Sequence, residues 1–117
     1  MGKRNKYVGC WKETVSEKID LPFNIESLKI VLECGKLPEK SGYTHQDIAH
    51  WCCRFYMAVS DSEDKEMDTA VDVASGVDAQ WDLYLSNTYT LKELQIMDFA
   101  SIRLPVEWFD DWLKRLT

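Results

Sequence analysis

Between positions 44 and 59 sixteen residues run without a glycine or a proline, and their apolar side chains recur at helical spacing. This stretch limits what the chain can fold into more than any other. Thr44 can accept a hydrogen bond from the backbone three residues on, where Asp47 can reach back to the Thr44 backbone, the reciprocal pattern of a capping box. At about 100° per residue, Ile48, Trp51, Cys52, Phe55 and Val59 form one stripe, while Cys53 and Met57 fall nearly opposite. A helix apolar on two sides needs neighbours on two sides. The 44–59 helix is therefore expected at the centre of the domain, with Trp51 and Phe55 buried.

The flanking segments read as further helices. Asn24 can cap a helix over 25–34, in which Ile25, Leu28, Val31 and Leu32 share a face, with Gly35 and then Pro38 marking its end. Met67, Ala70, Val71 and Ala74 give a narrow stripe to a helix over 62–75, closed by Gly76, whose first turns hold Glu63, Asp64 and Glu66 where the helix dipole favours anions. Over 77–88 the positions of Val77, Trp81, Tyr84, Leu85 and Thr88 suit a helix. Alternation of Trp81, Leu83 and Leu85 also suits a strand, and helix is the preferred reading. Thr90 with Glu93 is a second capping box, opening a helix through about Phe99. Pro105 suits the first position of a final helix, whose stripe of Val106, Phe109, Leu113 and Leu116 is widened by Trp108 and Trp112. Before Asn24, Trp11, Val15 and Ile19 suit a short helix stopped ahead of Pro22, with an extended 7–11 segment as the alternative. The fold expected is all-α: one domain over 1–117, with about five or six short helices packed around the 44–59 helix.

Composition agrees with this size of core. A chain of 117 residues with 45% apolar and 29% charged side chains can bury one contiguous core, and it lies far from the composition of disordered segments. Lys3, Arg4 and Lys6 are followed by no apolar run, and uncharged runs such as 48–53 fall far short of the roughly 20 residues that span a bilayer. Neither a leader nor a membrane contact is expected. The expectation is a cytoplasmic protein whose Cys10, Cys34, Cys52 and Cys53 are reduced thiols.

Little in the sequence suggests catalysis. His45 and His50 lie five residues apart on one helix and point about 140° away from each other, so they cannot converge on one substrate. His45 reads as a surface residue of the first helical turn. No glycine-rich phosphate loop, nucleophile elbow or His-Glu-x-x-His pair is present. His50 and Cys53, spaced i, i+3, could hold a metal with Cys34 and Cys10 completing a tetrahedron, but structural zinc sites present two paired clusters. Buried thiols acting as small hydrophobes are the expectation, with no metal and no cofactor. A pocket near His50, Cys53 and Met57, for a small molecule, a metal or an enzyme's substrate, is the alternative.

Charge is the feature that points to a partner. Eight acids against Lys65 give positions 61–82 a net charge of −7, while the rest of the chain sums to +1. Asp64, Asp68 and Asp72 recur every four residues, and like charges so stacked mildly destabilise a helix. A plain solvated face would also carry such acids. An EF-hand is excluded because 61–72 lacks the glycine and the alternating oxygen ligands of that loop, and nucleic acid is disfavoured because phosphates need a positive footprint. The expected function is non-enzymatic: Asp61, Glu63, Asp64, Asp68 and Asp72 contact a basic surface of another protein, as an inhibitor or immunity-type protein would. Trp108, Phe109 and Trp112 are expected to dock on the chain's own core. If exposed instead, Trp108 and Trp112 would serve a homodimer or a helical-groove partner.

Overall fold

In a computed structural model of the protein, the described residues are 18–61 and 63–116, and they form helices with no strand. The elements are α1 (Ile25–Lys36), α2 (Pro38–Ser41), α3 (His45–Val59), α4 (Glu66–Thr88), α5 (Leu91–Ile96), a 3-10 turn (Phe99–Ser101) and α6 (Val106–Arg115). Trp11, Val15 and the 7–11 segment lie outside the described residues; Ile19, expected on one helix with them, lies outside the helices and is fully buried.

Both capping boxes form. The Thr44 side chain accepts from the Asp47 N–H while Asp47 accepts from the Thr44 N–H, and Thr90 and Glu93 repeat the exchange at α5. Asn24 caps α1 by accepting from the Ser27 N–H at 2.8 Å. Helix α3 packs along α4, α1 packs on α6, and α1 also touches α3 and α4, so two helix pairs close on one core. Trp51, Phe55, Trp81 and Phe109 are its largest fully buried side chains. Phe23, from the segment ahead of α1, lies on Trp51 and Phe55 with centroids 5.5 and 6.3 Å away. That segment also takes hydrogen bonds from α3, Trp51 Nε1 donating to the Leu21 carbonyl and Arg54 to the Ile19 carbonyl. The second apolar side of α3 is not packed throughout: Cys53 is half-buried and Met57 is 48% exposed.

The glycines act differently from the expectation that they end helices. α1 continues through Gly35 to Lys36 and breaks only at Leu37, the residue that Pro38 biases away from helical geometry. A Cβ at Gly35 would lie 2.3 Å from the Phe109 ring, so the glycine is there to let α6 approach the α1 backbone. Gly76 does not close a helix either. The expected 62–75 and 77–88 segments are one helix of 23 residues that begins at Glu66, its interior held against α3 by Ala70, Val73, Ala74, Val77 and Trp81. Packing on that face outweighs the roughly 1 kcal/mol that a glycine costs mid-helix. At the other end, the helix expected through Phe99 stops at Ile96, and Phe99 belongs to the 3-10 turn. Pro105 is the cap of α6 rather than its first residue.

His45 departs furthest from its expected place, since it is 1% exposed and not a surface residue. The Leu104 N–H donates to its Nδ1 at 2.7 Å, and its Nε2 lies 2.8 Å from the Gly35 carbonyl oxygen. Because Nδ1 accepts, the ring's proton sits on Nε2, which donates to Gly35. One neutral imidazole thus satisfies a carbonyl left over at the C-terminus of α1 and a lone donor in the 102–105 linker. Its ring packs on Phe109, centroids 4.6 Å apart. Burial, reinforced by the Arg103 cation, pushes the His45 pKa down, against the opposing pull of the Gly35 carbonyl and Glu39.

Gly35→Ala should destabilise the protein by about 1–3 kcal/mol through overpacking, because the Phe109 ring it meets is wedged against His45 and Trp112. Gly76→Ala should raise stability by about 0.5–1 kcal/mol, its nearest neighbour being Trp112 Nε1 at an ordinary 3.9 Å. Thermal or denaturant melting of the two variants checks the opposite signs. For His45 the folded state disfavours protonation, so its contribution is present above the unfolded pKa of about 6.5 and is lost as pH falls toward the depressed folded value. The stability gap between wild type and His45→Gln should therefore narrow from pH 7.5 to pH 5. A constant gap would show that the imidazole is not held neutral.

Candidate functional site

The eight acids of 61–82 do not share one role. Asp78 turns inward and is buried near Cys52, whose thiol pKa is raised well above normal, by burial first and by the Asp78 charge next. Asp82 is half-buried on the same helix. The exposed acids are Asp61, Glu63, Asp64, Glu66, Asp68 and Asp72, so the exposed charge is concentrated over 61–72, where six acids and one lysine give a net −5. They occupy the turn after α3 and the opening of α4, and only Glu66, Asp68 and Asp72 are helical.

Of the three acids spaced by four, each does something different. Asp64 precedes the helix, and its Oδ1 accepts from the Glu66 N–H at 2.9 Å, so it satisfies one of the unpaired donors at the start of α4. Asp68 stands exposed in the first turn, where the dipole favours an anion. Asp72, one turn further, forms an ion pair with Arg115 near the end of α6. Sequence spacing alone brings out the stacking but not the cation, since Arg115 is 43 positions away.

The Arg115 pair is the first rung of a seam along which α4 meets α6. Gly76 follows one turn after Asp72, its Cβ position 3.9 Å from the Trp112 indole nitrogen. One turn on, Gln80 lines a recess with Trp108, Asp111 and Trp112, of about 290 Å³. Tyr84 comes next and meets Trp108 edge-on at 6.1 Å. Positions 72, 76, 80 and 84 thus face α6 in descending order, an antiparallel register set by the i, i+4 spacing of α4. Phe109 and Trp112 are core residues, as their spacing suggests, while Trp108 is half-buried at the edge of the seam. Indoles 108 and 112 stand at 69° with centroids 6.3 Å apart.

Of the positions of the alternative pocket, His50 is buried, Cys53 half-buried and Met57 exposed along one side of α3. Cys34, Cys52 and Cys53 are free thiols, and Cys10 lies outside the described residues. Among the described residues no group of three or more His, Cys, Asp or Glu side chains could hold a metal ion. A second recess, about 440 Å³, lies between α1 and α2, where Ile30, Cys34 and Leu37 are apolar and Lys29 and Lys40 outnumber Glu33. Its character is opposite to that of the acidic corner. No described helix is long and apolar enough to cross a membrane. Comparison with protein-family models, with curated proteins and with solved structures finds no match to this chain.

Both members of the Asp72–Arg115 pair are about half exposed or more, so solvent screens their attraction. A double-mutant cycle with Asp72→Asn and Arg115→Gln should give a coupling below about 1 kcal/mol that shrinks as salt rises. A coupling several times larger would mean that the pair, and not the buried face of α6, fixes the seam.

Proposed function

We propose that the protein is a non-enzymatic binding module whose acidic corner, Asp61, Glu63, Asp64, Asp68 and Asp72, contacts a basic surface of a partner protein. The observation that carries this reading is the exposure of all six acids of 61–72, although two later acids of the same stretch are drawn into the fold. Folding uses for this charge are few: Asp64 caps α4 and Asp72 meets Arg115, and the α4 dipole is the one internal use for Asp61, Glu63 and Asp68 among the described residues. A negative surface of this density speeds encounter with a positive partner and repels a phosphate backbone. An inhibitor or immunity-type protein that covers a nucleic-acid-binding cleft would need such a surface. The reading takes the protein as cytoplasmic, where its cysteines stay as thiols.

Asp61→Asn, Glu63→Gln and Asp68→Asn together remove charge while sparing the Asp64 cap and the Asp72 pair. With the wild-type protein as bait in extract of its source cells, a partner should be retained at low salt and released as salt rises. Association of that partner with the triple variant should be about tenfold slower or more at low salt, the two rates converging at high salt, while the melting temperature stays level. Equal association rates at low salt would end the proposal.

A further inference from the structure

The recess between α4 and α6 has the chemistry of a cation site rather than of an apolar one. Two of its walls are the indoles of Trp108 and Trp112, which meet at 69° and form a corner. The other two are the exposed Asp111 and the half-buried Gln80, which bring a carboxylate and an amide oxygen to the same space. Residues 108, 111 and 112 share one face of α6 by their i, i+3, i+4 spacing, so the acid and both rings are presented together. At about 290 Å³ the recess is at the small end for a ligand pocket and suits a single side chain. Two turns along the same seam the chain already binds a guanidinium, its own Arg115 on Asp72.

We infer that this recess receives an arginine side chain of the basic partner, its guanidinium lying on the Trp108–Trp112 corner and donating to Asp111 and Gln80. A guanidinium is flat, weakly hydrated and forked, so it can lie on an indole face and reach a carboxylate at once, which an ammonium does less well. Asp68, on the α4 positions that continue the stripe of Gly76 and Gln80, stands exposed beyond the Asp72–Arg115 pair, so the acidic corner begins on the side of α4 that lines the recess. A basic surface steered to that corner therefore meets the recess along the same helix. The inference rests on the acidic-corner reading for its partner, but the recess is tested without that partner.

The test is a titration of the protein with acetyl-Gly-Arg-Gly-amide, followed through the indole N–H resonances in ¹H–¹⁵N spectra. Its citrulline counterpart, equal in shape and uncharged, and its lysine counterpart serve as controls. The arginine peptide should shift the Trp108 and Trp112 resonances saturably, the citrulline peptide should not, and the lysine peptide should bind more weakly. Asp111→Asn, an exposed change that leaves the core alone, should weaken binding about tenfold. The Asp61, Glu63, Asp68 triple variant should still bind the peptide, which separates this result from the fate of the acidic corner. The inference is overturned if the two indoles do not move, if citrulline or lysine binds as well as arginine, or if Asp111→Asn binds like wild type. Shifts confined to 61–72 would likewise overturn it, while leaving the acidic corner as a binding surface.

Discussion

The fold closes on one imidazole. His45 begins α3, its Nε2 donates to the last turn of α1, its Nδ1 accepts from the linker that leads into α6, and its face lies against Phe109 of α6. Three other segments, the end of α1, the 102–105 linker and α6, therefore depend on a single neutral side chain, and each would otherwise leave a polar backbone group or a ring face to be satisfied elsewhere. A buried amide or carbonyl without a partner costs about 1–3 kcal/mol, a sizeable part of a small domain's stability. The contact also explains Gly35. Its missing side chain admits Phe109, and its carbonyl is the one that His45 reaches, so glycine and histidine together set how closely α1, α3 and α6 meet.

α6 shows which interactions hold an amphipathic terminal helix and which only decorate it. Lys36 and Asp110 approach to 2.8 Å at one place, and Arg115 and Asp72 pair at another, both at the surface. The first pair is reflected in the titration of its members, Asp110 raising the Lys36 pKa and Lys36 lowering that of Asp110. Exposed pairs of this kind are screened and contribute little. Phe109 is fully buried and Trp112 nearly so, and the apolar area they remove from water stabilises the docked helix more than either pair does. The aromatic residues, and not the ion pairs, supply the affinity of α6 for the rest of the fold.

What can be read from the sequence is local. The two capping boxes, the Asn24 cap and the stripe of Trp51 and Phe55 depend on residues within a turn or two, and they stand in the structure as spaced in the chain. The largest misreadings involve distance along the chain. Gly35 and Gly76 carry the local signature of helix ends, but α6 in one case and the α3 packing face in the other keep the helix going. His45 has the spacing of a first-turn surface residue because its partners lie 10 and 59 positions away. The pairing of Asp72 with Arg115 is hidden in the same way. A faint signal does exist for the α4–α6 seam: Asp68, Asp72, Gly76, Gln80 and Tyr84 share a four-residue spacing that no apolar stripe explains.

That stripe bears on how negative charge is distributed in the molecule. If the acids were simply a solubilising coat, they would be spread over the outer faces of several helices, since interspersed charge serves solubility without a single-sign field. Instead the stretch divides. Its first half stays exposed at one corner, and its second half turns acids inward or gives way to a glycine and an amide beside two indoles. Steering needs only the first arrangement, because long-range attraction is indifferent to what lies beyond the corner. Recognition needs a place where a cation can be desolvated and held, because interface energy concentrates in a few buried anchors rather than in rim charge. The chain places a recess two turns along α4 from Asp72, the last of its exposed acids in 61–82, and a surface that both attracts and anchors a basic partner would be laid out in this order.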